Sequence, residues 1–305
     1  MSFAKKIEII GVPSDLGANM RGANMGPAAL RIADLKEKVE IQGYEVIDSG
    51  DLHVPVRDSL DPKIQDEKFL QPLVKICDEL ATRTYQSVKE NRFPLVIGGD
   101  HSIAIGSISG VANHFRDHDQ SIGVIWVDAH ADINTPDSSP SGNIHGMPLA
   151  TLLGNGHPEL TRIGGEGAKI NPKNVALIGI RTIDDHEKMQ LKESGIHYYT
   201  MRDIDEKGMF HIMQEAIKHV SEGTSGIHVS FDIDGIDPRY APGVSTPVSG
   251  GITFREAHLI LEMAYESGKM SSLDFVELNP YTDVGAQSAN LTVDLILSAL
   301  GKSIV

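Results

Sequence analysis

The sequence predicts an α/β fold in which a mainly parallel sheet of eight strands lies between two layers of helices. Two observations predict it. Eight short apolar runs recur, at residues 6–11, 44–47, 94–97, 122–127, 175–180, 196–199, 227–231 and 272–276, most of them followed by Gly, Asp or Pro. Segments with helical periodicity separate most of these runs, and strands that alternate with helices form parallel pairs with helices on both faces.

Taken in order, residues 27–39 follow a Gly26-Pro27 helix-start signal. Residues 69–89 place Leu70, Leu73, Val74, Ile76 and Leu80 at three- and four-residue steps, which is one helical face. Residues 210–220, 254–265 and 288–300 read the same way. The run ending in Val124-Ile125-Trp126-Val127 is almost wholly apolar, as a strand buried on both faces of a parallel sheet is. Residues 154–174 are rich in Gly and polar side chains and read as a long surface loop. Within it, Gly164-Gly165-Glu166-Gly167-Ala168-Lys169 lacks the Gly-Lys-Ser/Thr ending of a phosphate loop. No linker, charge block or repeat interrupts the chain, so residues 1–305 are expected to form one domain.

Composition narrows the function. A net charge of -15 argues against binding to nucleic acid or to an anionic membrane, because a phosphate-rich surface demands a basic patch. It favours cationic ligands instead. Cys77 is the only cysteine, which excludes an intrachain disulfide and a thiolate metal site. No apolar run is long enough to span a bilayer, and Met1 to Lys6 lead directly into the first strand without a signal segment. A cytoplasmic location is expected.

The chemistry gathers at strand ends. Asp128, His130 and Asp132 follow the buried run two residues apart, so in extended backbone all three side chains leave one face. Residues 94–97 end in Gly98-Gly99-Asp100-His101-Ser102, where two glycines permit a tight turn that presents His101. Residues 227–231 end in Asp232-Ile233-Asp234-Gly235-Ile236-Asp237-Pro238, and the last strand in Glu277-Leu278-Asn279-Pro280. Asp128, Asp132, Asp232, Asp234, His101 and His130 are too many ligands for one small cation and suit two divalent ions bridged by carboxylates. Oxygen-rich ligation with some imidazole favours manganese, although ligand type alone leaves cobalt, nickel, iron and zinc open. A dinucleotide-binding reading needs a Gly-x-Gly-x-x-Gly turn after the first strand, and Gly11-Val12-Pro13-Ser14-Asp15 stands there instead.

The four motifs Gly98–Ser102, Asp128–Asp132, Ser230–Pro238 and Glu277–Pro280 resemble the signatures of the ureohydrolases, binuclear manganese enzymes that hydrolyse guanidino groups. The resemblance covers nearly the whole chain and implies an eight-stranded parallel sheet. Asn134, the loop to Ser141-Gly142-Asn143 and His145-Gly146-Met147-Pro148 are similar to the arginase branch more than to the agmatinases. It implies that His101, Asp128, Asp132 and Asp232 hold one Mn2+, and that Asp128, His130, Asp232 and Asp234 hold the other. Asp128 and Asp232 would bridge them.

By the same resemblance a metal-bridging hydroxide attacks the guanidinium carbon of L-arginine, giving urea and L-ornithine. Glu277 would hold the guanidinium through paired charge-assisted hydrogen bonds, and His145 would protonate the leaving amine. Asn134, Ser139 and Ser141 match positions that take the α-carboxylate, Asp184 and Glu187 positions that take the α-ammonium, and Thr246 a pocket threonine near the guanidinium. Pro140 and Asp137 depart from the family's loop and bear on the α-carboxylate end. Agmatine or another guanidino acid is the alternative substrate, since only the recognition loops separate these enzymes. A homo-oligomer, trimer or hexamer, is implied as well.

Overall fold

The computed structural model describes residues 5–302, so the reading of Met1 to Ala4 as leaderless, and the end of the chain at Val305, lie outside the described residues. Eight strands form one sheet: β1 (Lys6–Gly11), β2 (Glu45–Asp51), β3 (Phe93–Ile97), β4 (Ile122–Val127), β5 (Val175–Ile180), β6 (His197–Thr200), β7 (Gly226–Asp232) and β8 (Met270–Val276). Their order is β2-β1-β3-β8-β7-β4-β5-β6. Every pairing among them is parallel, for example Val127 beside Phe231 and Ile97 beside Phe275. The central strands β3, β4, β5 and β7 are buried throughout, which is why β3, β4 and β5 read as continuous apolar runs rather than as alternations.

Alternation across the sheet separates two cores. Ile125, Val127, Ile227, Val229, Phe231, Leu273 and Phe275 join the helices Met209–Ser221, Phe254–Glu266 and Gln287–Ala299 on one face. Val124 and Trp126 turn the other way, towards helix Ala104–Arg116. Val96 and Val276 pack on that second side against helix Leu70–Lys89. The result is three layers, as expected.

One expectation about helices needs correction, and one helix was not expected. Residues 27–39 do not form one helix but two, Gly26–Ile32 and Leu35–Ile41, because Asp34 adopts a left-handed conformation (φ 62°) between them. Helix Ala104–Arg116 was invisible to periodicity because ten of its thirteen residues are buried, leaving no polar face to set the period. The Gly-rich stretch after residue 154 contains the short helix Pro158–Thr161. There the Lys169 ammonium donates to the carbonyls of Thr161 (2.7 Å) and Gly165 (2.6 Å), so the loop closes on its own lysine rather than cradling a phosphate. Among the described residues no helix is long and apolar enough to cross a membrane.

The order of strands matters for function. β3, β8, β7 and β4 are consecutive neighbours, and each bears one of the four motifs at its carboxyl end. Motifs separated by up to 176 positions in sequence therefore converge on one edge, where open α/β sheets place their sites.

Candidate metal centre and substrate cavity

The turn after β3 is built by Gly98 and Gly99, both at positive φ (81° and 83°), conformations that a side chain would strain. A Cβ on Gly98 would collide with the Pro27 ring. Asp100 then caps the following turn by accepting from the backbone N–H of Ser102, and His101 is left fully buried over the sheet edge. The Nδ1 atom of His101 lies 3.1 Å from Asp128 Oδ2 and 3.0 Å from both Asp132 Oδ2 and Asp232 Oδ2. Its ring stacks on Trp126, with centroids 4.1 Å apart, and the Trp126 indole donates to Asp128 Oδ2 at 3.0 Å.

A second cluster adjoins the first. His130 Nδ1 lies 3.3 Å from Asp128 Oδ1 and 3.2 Å from Asp234 Oδ2. Donor atoms of His101, Asp128 and Asp232 fall within 4.8 Å of one another, as do those of Asp128, His130 and Asp234. Asp128 belongs to both groups, and Asp132 joins the first through its approach to His101. Asp128 accepts from the His130 backbone N–H, Asp232 from the Asp234 N–H, and Asp234 from the Thr246 hydroxyl, each at 2.7 Å. Asp232 is therefore fixed through Oδ1 and turns Oδ2 towards His101, whereas Oδ2 of Asp234 meets both the Thr246 hydroxyl and His130.

Carboxylates crowd this site, and each perturbs its neighbours. Burial and neighbouring carboxylates push Asp132 up to about 6, and raise Asp232 well above the ordinary value and Asp234 too. Burial works against the charged form of His101 and His130, yet the aspartates around them raise both. His101 Nδ1 makes no well-directed hydrogen bond although three carboxylate oxygens surround it. A buried imidazole nitrogen amid three carboxylate oxygens fits a divalent metal ion, and a donor set without any thiol fits manganese or another oxygen-preferring ion.

Above this floor lies a cavity of about 240 Å³. Every site residue expected from the sequence lines it except His101 and Asp128, which lie buried below. Glu277, at a left-handed φ of 61°, accepts from His145 Nδ1 and from the His101 backbone N–H, both at 3.0 Å. Those bonds occupy Oε1; the buried Oε2 has no partner. Burial opposes the Glu277 charge, but His145 holds its pKa below the usual carboxylate value. Burial likewise opposes protonation of His145, and the hydrogen bond and charge of Glu277 push it up to about 9.

At the far wall the recognition residues are bonded to one another. Asn134 donates to Asp184 Oδ2 at 2.7 Å and accepts from the Ser138 hydroxyl at 2.7 Å. Ser139 and Ser141 each accept from a loop N–H, of Gly142 and Asn143. Asp184 and Glu187 form a reciprocal capping box at the start of helix Asp185–Ser194, and burial pushes Glu187 up to about 7 against the hydrogen bond from the Asp184 N–H.

Sequence reasoning passed over three residues here. Ser138 props Asn134. Trp126, expected only as buried strand, holds Asp128. Arg181 follows β5 and donates to the carbonyls of Asp234 (2.7 Å), Val248 (2.8 Å) and Gly235 (2.9 Å), tying the Asp232–Pro238 loop to its neighbours. An arginine directly after a buried strand was the available signal.

Fold and site together define a three-layer α/β protein with a candidate metal centre at the carboxyl edge of its parallel sheet. The Arginase family model matches residues 5–301. An arginase of Bacillus caldovelox is 47% identical over 302 residues, covering 99% of this chain and all of that one. The solved structure of arginase from Bacillus caldovelox superposes with a TM-score of 0.94 at 47% identity, over 98% of this chain and 99% of that one. The solved Entamoeba histolytica arginase in complex with L-ornithine gives 0.85 at 33% identity, over 99% of each chain. The chain belongs to the arginase family and is a hydrolase.

Replacing Arg181 by Lys keeps the charge but not the fork that reaches several carbonyls at once. Urea unfolding of Arg181→Lys should show a loss of about 1.5–3 kcal/mol. Unchanged stability would mean that the loop is held by other contacts.

Proposed function

We propose that the chain hydrolyses L-arginine to L-ornithine and urea with two manganese ions. The observation that carries this reading is the cavity itself, whose floor of carboxylates is joined by Glu277 with one buried oxygen free. Such a surface is complementary to a planar cation, and a neutral or anionic substrate would gain nothing from it. His101, Asp128, Asp132 and Asp232 would hold one ion; Asp128, His130, Asp232 and Asp234 would hold the other. Cobalt(II) or another divalent ion suits the same donors. When bound, the ions supply a nucleophile by lowering the pKa of water from 15.7 to about 7.

The chain's own residues do the rest. Glu277 Oε2 accepts a guanidinium N–H in a site where water is scarce, so the interaction is weakly screened. His145 is held protonated at neutral pH by Glu277 and gives its proton to the departing amine, which would otherwise leave as an unstable anion. Asn134, Ser139 and Ser141 meet the α-carboxylate with neutral donors. Asp184, held below the ordinary carboxylate value despite burial by the Asn134 amide and the N–H groups of its own helix, faces the α-ammonium with Glu187. Thr246 steadies Asp234. The family name of the relatives supports arginine over agmatine, and a homo-oligomer, trimer or hexamer, is proposed on family resemblance alone.

Urea release from arginine and agmatine, measured side by side, decides the substrate. Arginine should be preferred by about 100-fold or more in kcat/KM, because agmatine lacks the α-carboxylate and forgoes its hydrogen bonds to the far wall. A preference for agmatine would overturn the assignment. In the His145→Asn variant kcat should fall about 100- to 10,000-fold while KM changes little. A normal kcat would remove His145 from the chemistry.

A further inference from the structure

Behind the metal centre, β7 and β8 bury a second set of polar side chains that neither lines the cavity nor reaches solvent. On the face opposite Phe231 and Phe275 stand His228, Ser230, Ser272 and Asp274, each at most 1% exposed. An apolar strand face would cost less, so a buried carboxylate here calls for an explanation. Asp274 receives three donors: the Ser107 hydroxyl, the Ser230 hydroxyl at 2.6 Å and His228 Nε2 at 3.0 Å. His228 is fixed in turn through Nδ1, 2.7 Å from the Ser272 hydroxyl. The Ser230 oxygen lies 3.0 Å from His101 Nε2.

We propose that Asp274 is a positioning residue that fixes, through Ser230, which ring nitrogen of His101 carries the proton. This rests on the reading of His101 as a metal ligand. The direction of the proton chain follows from valence. A carboxylate only accepts, so the single Ser230 proton is committed to Asp274. The Ser230 oxygen can then only accept from His101, which puts the proton on Nε2 and leaves the Nδ1 lone pair facing Asp128, Asp132 and Asp232. Reversing the chain would place a proton on Nδ1, where an ion needs the lone pair. Buried partners of this kind orient ligating histidines generally. Here the partner is reached through one hydroxyl, and the buried His228 holds its far oxygen.

The test uses the full chain, stripped of metal and checked for folding by circular dichroism. Manganese binding is measured by calorimetry for the wild type, Asp274→Asn and Ser230→Ala. In parallel, ring signals of 15N-histidine-labelled protein are followed during Cd2+ titration. The expected result is a loss of about 10- to 100-fold in affinity for the ion at His101 in both variants. The His101 Nε2–H signal should lose its protection from exchange, while His130 still responds to Cd2+. If Asp274→Asn does not fold, Ser230→Ala decides, since it removes one hydroxyl and leaves Asp274 two donors. Unchanged affinity with a protected His101 Nε2–H, or an equal loss at His101 and His130, would overturn the relay. A wild-type His101 ring indifferent to Cd2+ would overturn the metal reading on which it rests.

Discussion

Four aspartates held within reach of two imidazoles at the carboxyl edge of the sheet are the constraint on which this structure depends. Such crowding is unfavourable for the metal-free chain, since the carboxylates repel one another away from water. The fold sustains it by spreading the cost. Backbone N–H groups of His130 and Asp234, the Trp126 indole and the Thr246 hydroxyl each satisfy one carboxylate oxygen. The strands beneath are fully buried, so the donors sit on a close-packed frame.

Strain is concentrated at the same place. Asp132 and Glu277 are non-glycine residues with left-handed backbone (φ 50° and 61°), and both line the cavity. Conformations of that kind persist where surrounding contacts over-determine them. Glu277 is held by His145 and the His101 N–H, and the Asp132 carbonyl accepts from Leu149 N–H at 3.0 Å. Geometry around the cavity is thus preset, which favours a site that binds one shape of cation over one that adapts.

Much of this was legible in the sequence. The eight runs correspond to the eight strands, most plainly in β3, β4 and β5, where burial on both faces calls for an uninterrupted apolar stretch. The ligand-type residues were legible because Asp128, His130 and Asp132 stand at spacing two directly after such a run. Strand order was not legible, since nothing in the runs says that β8 lies between β3 and β7. Asp34 broke a helix that periodicity continued, and helix Ala104–Arg116 had no polar stripe to reveal it. The supporting residues Arg181 and Asp274 were illegible for another reason: their partners are backbone carbonyls or are distant in sequence, and neither leaves a local side-chain signature.

The account turns on metal. Manganese should be titrated into the fully stripped chain while bound ion and urea release from arginine are measured together. The account predicts binding of two ions per chain, with activity absent from the stripped protein and restored as the ions bind. Full activity in the stripped protein, or manganese binding that leaves His101→Asn unaffected, would contradict it.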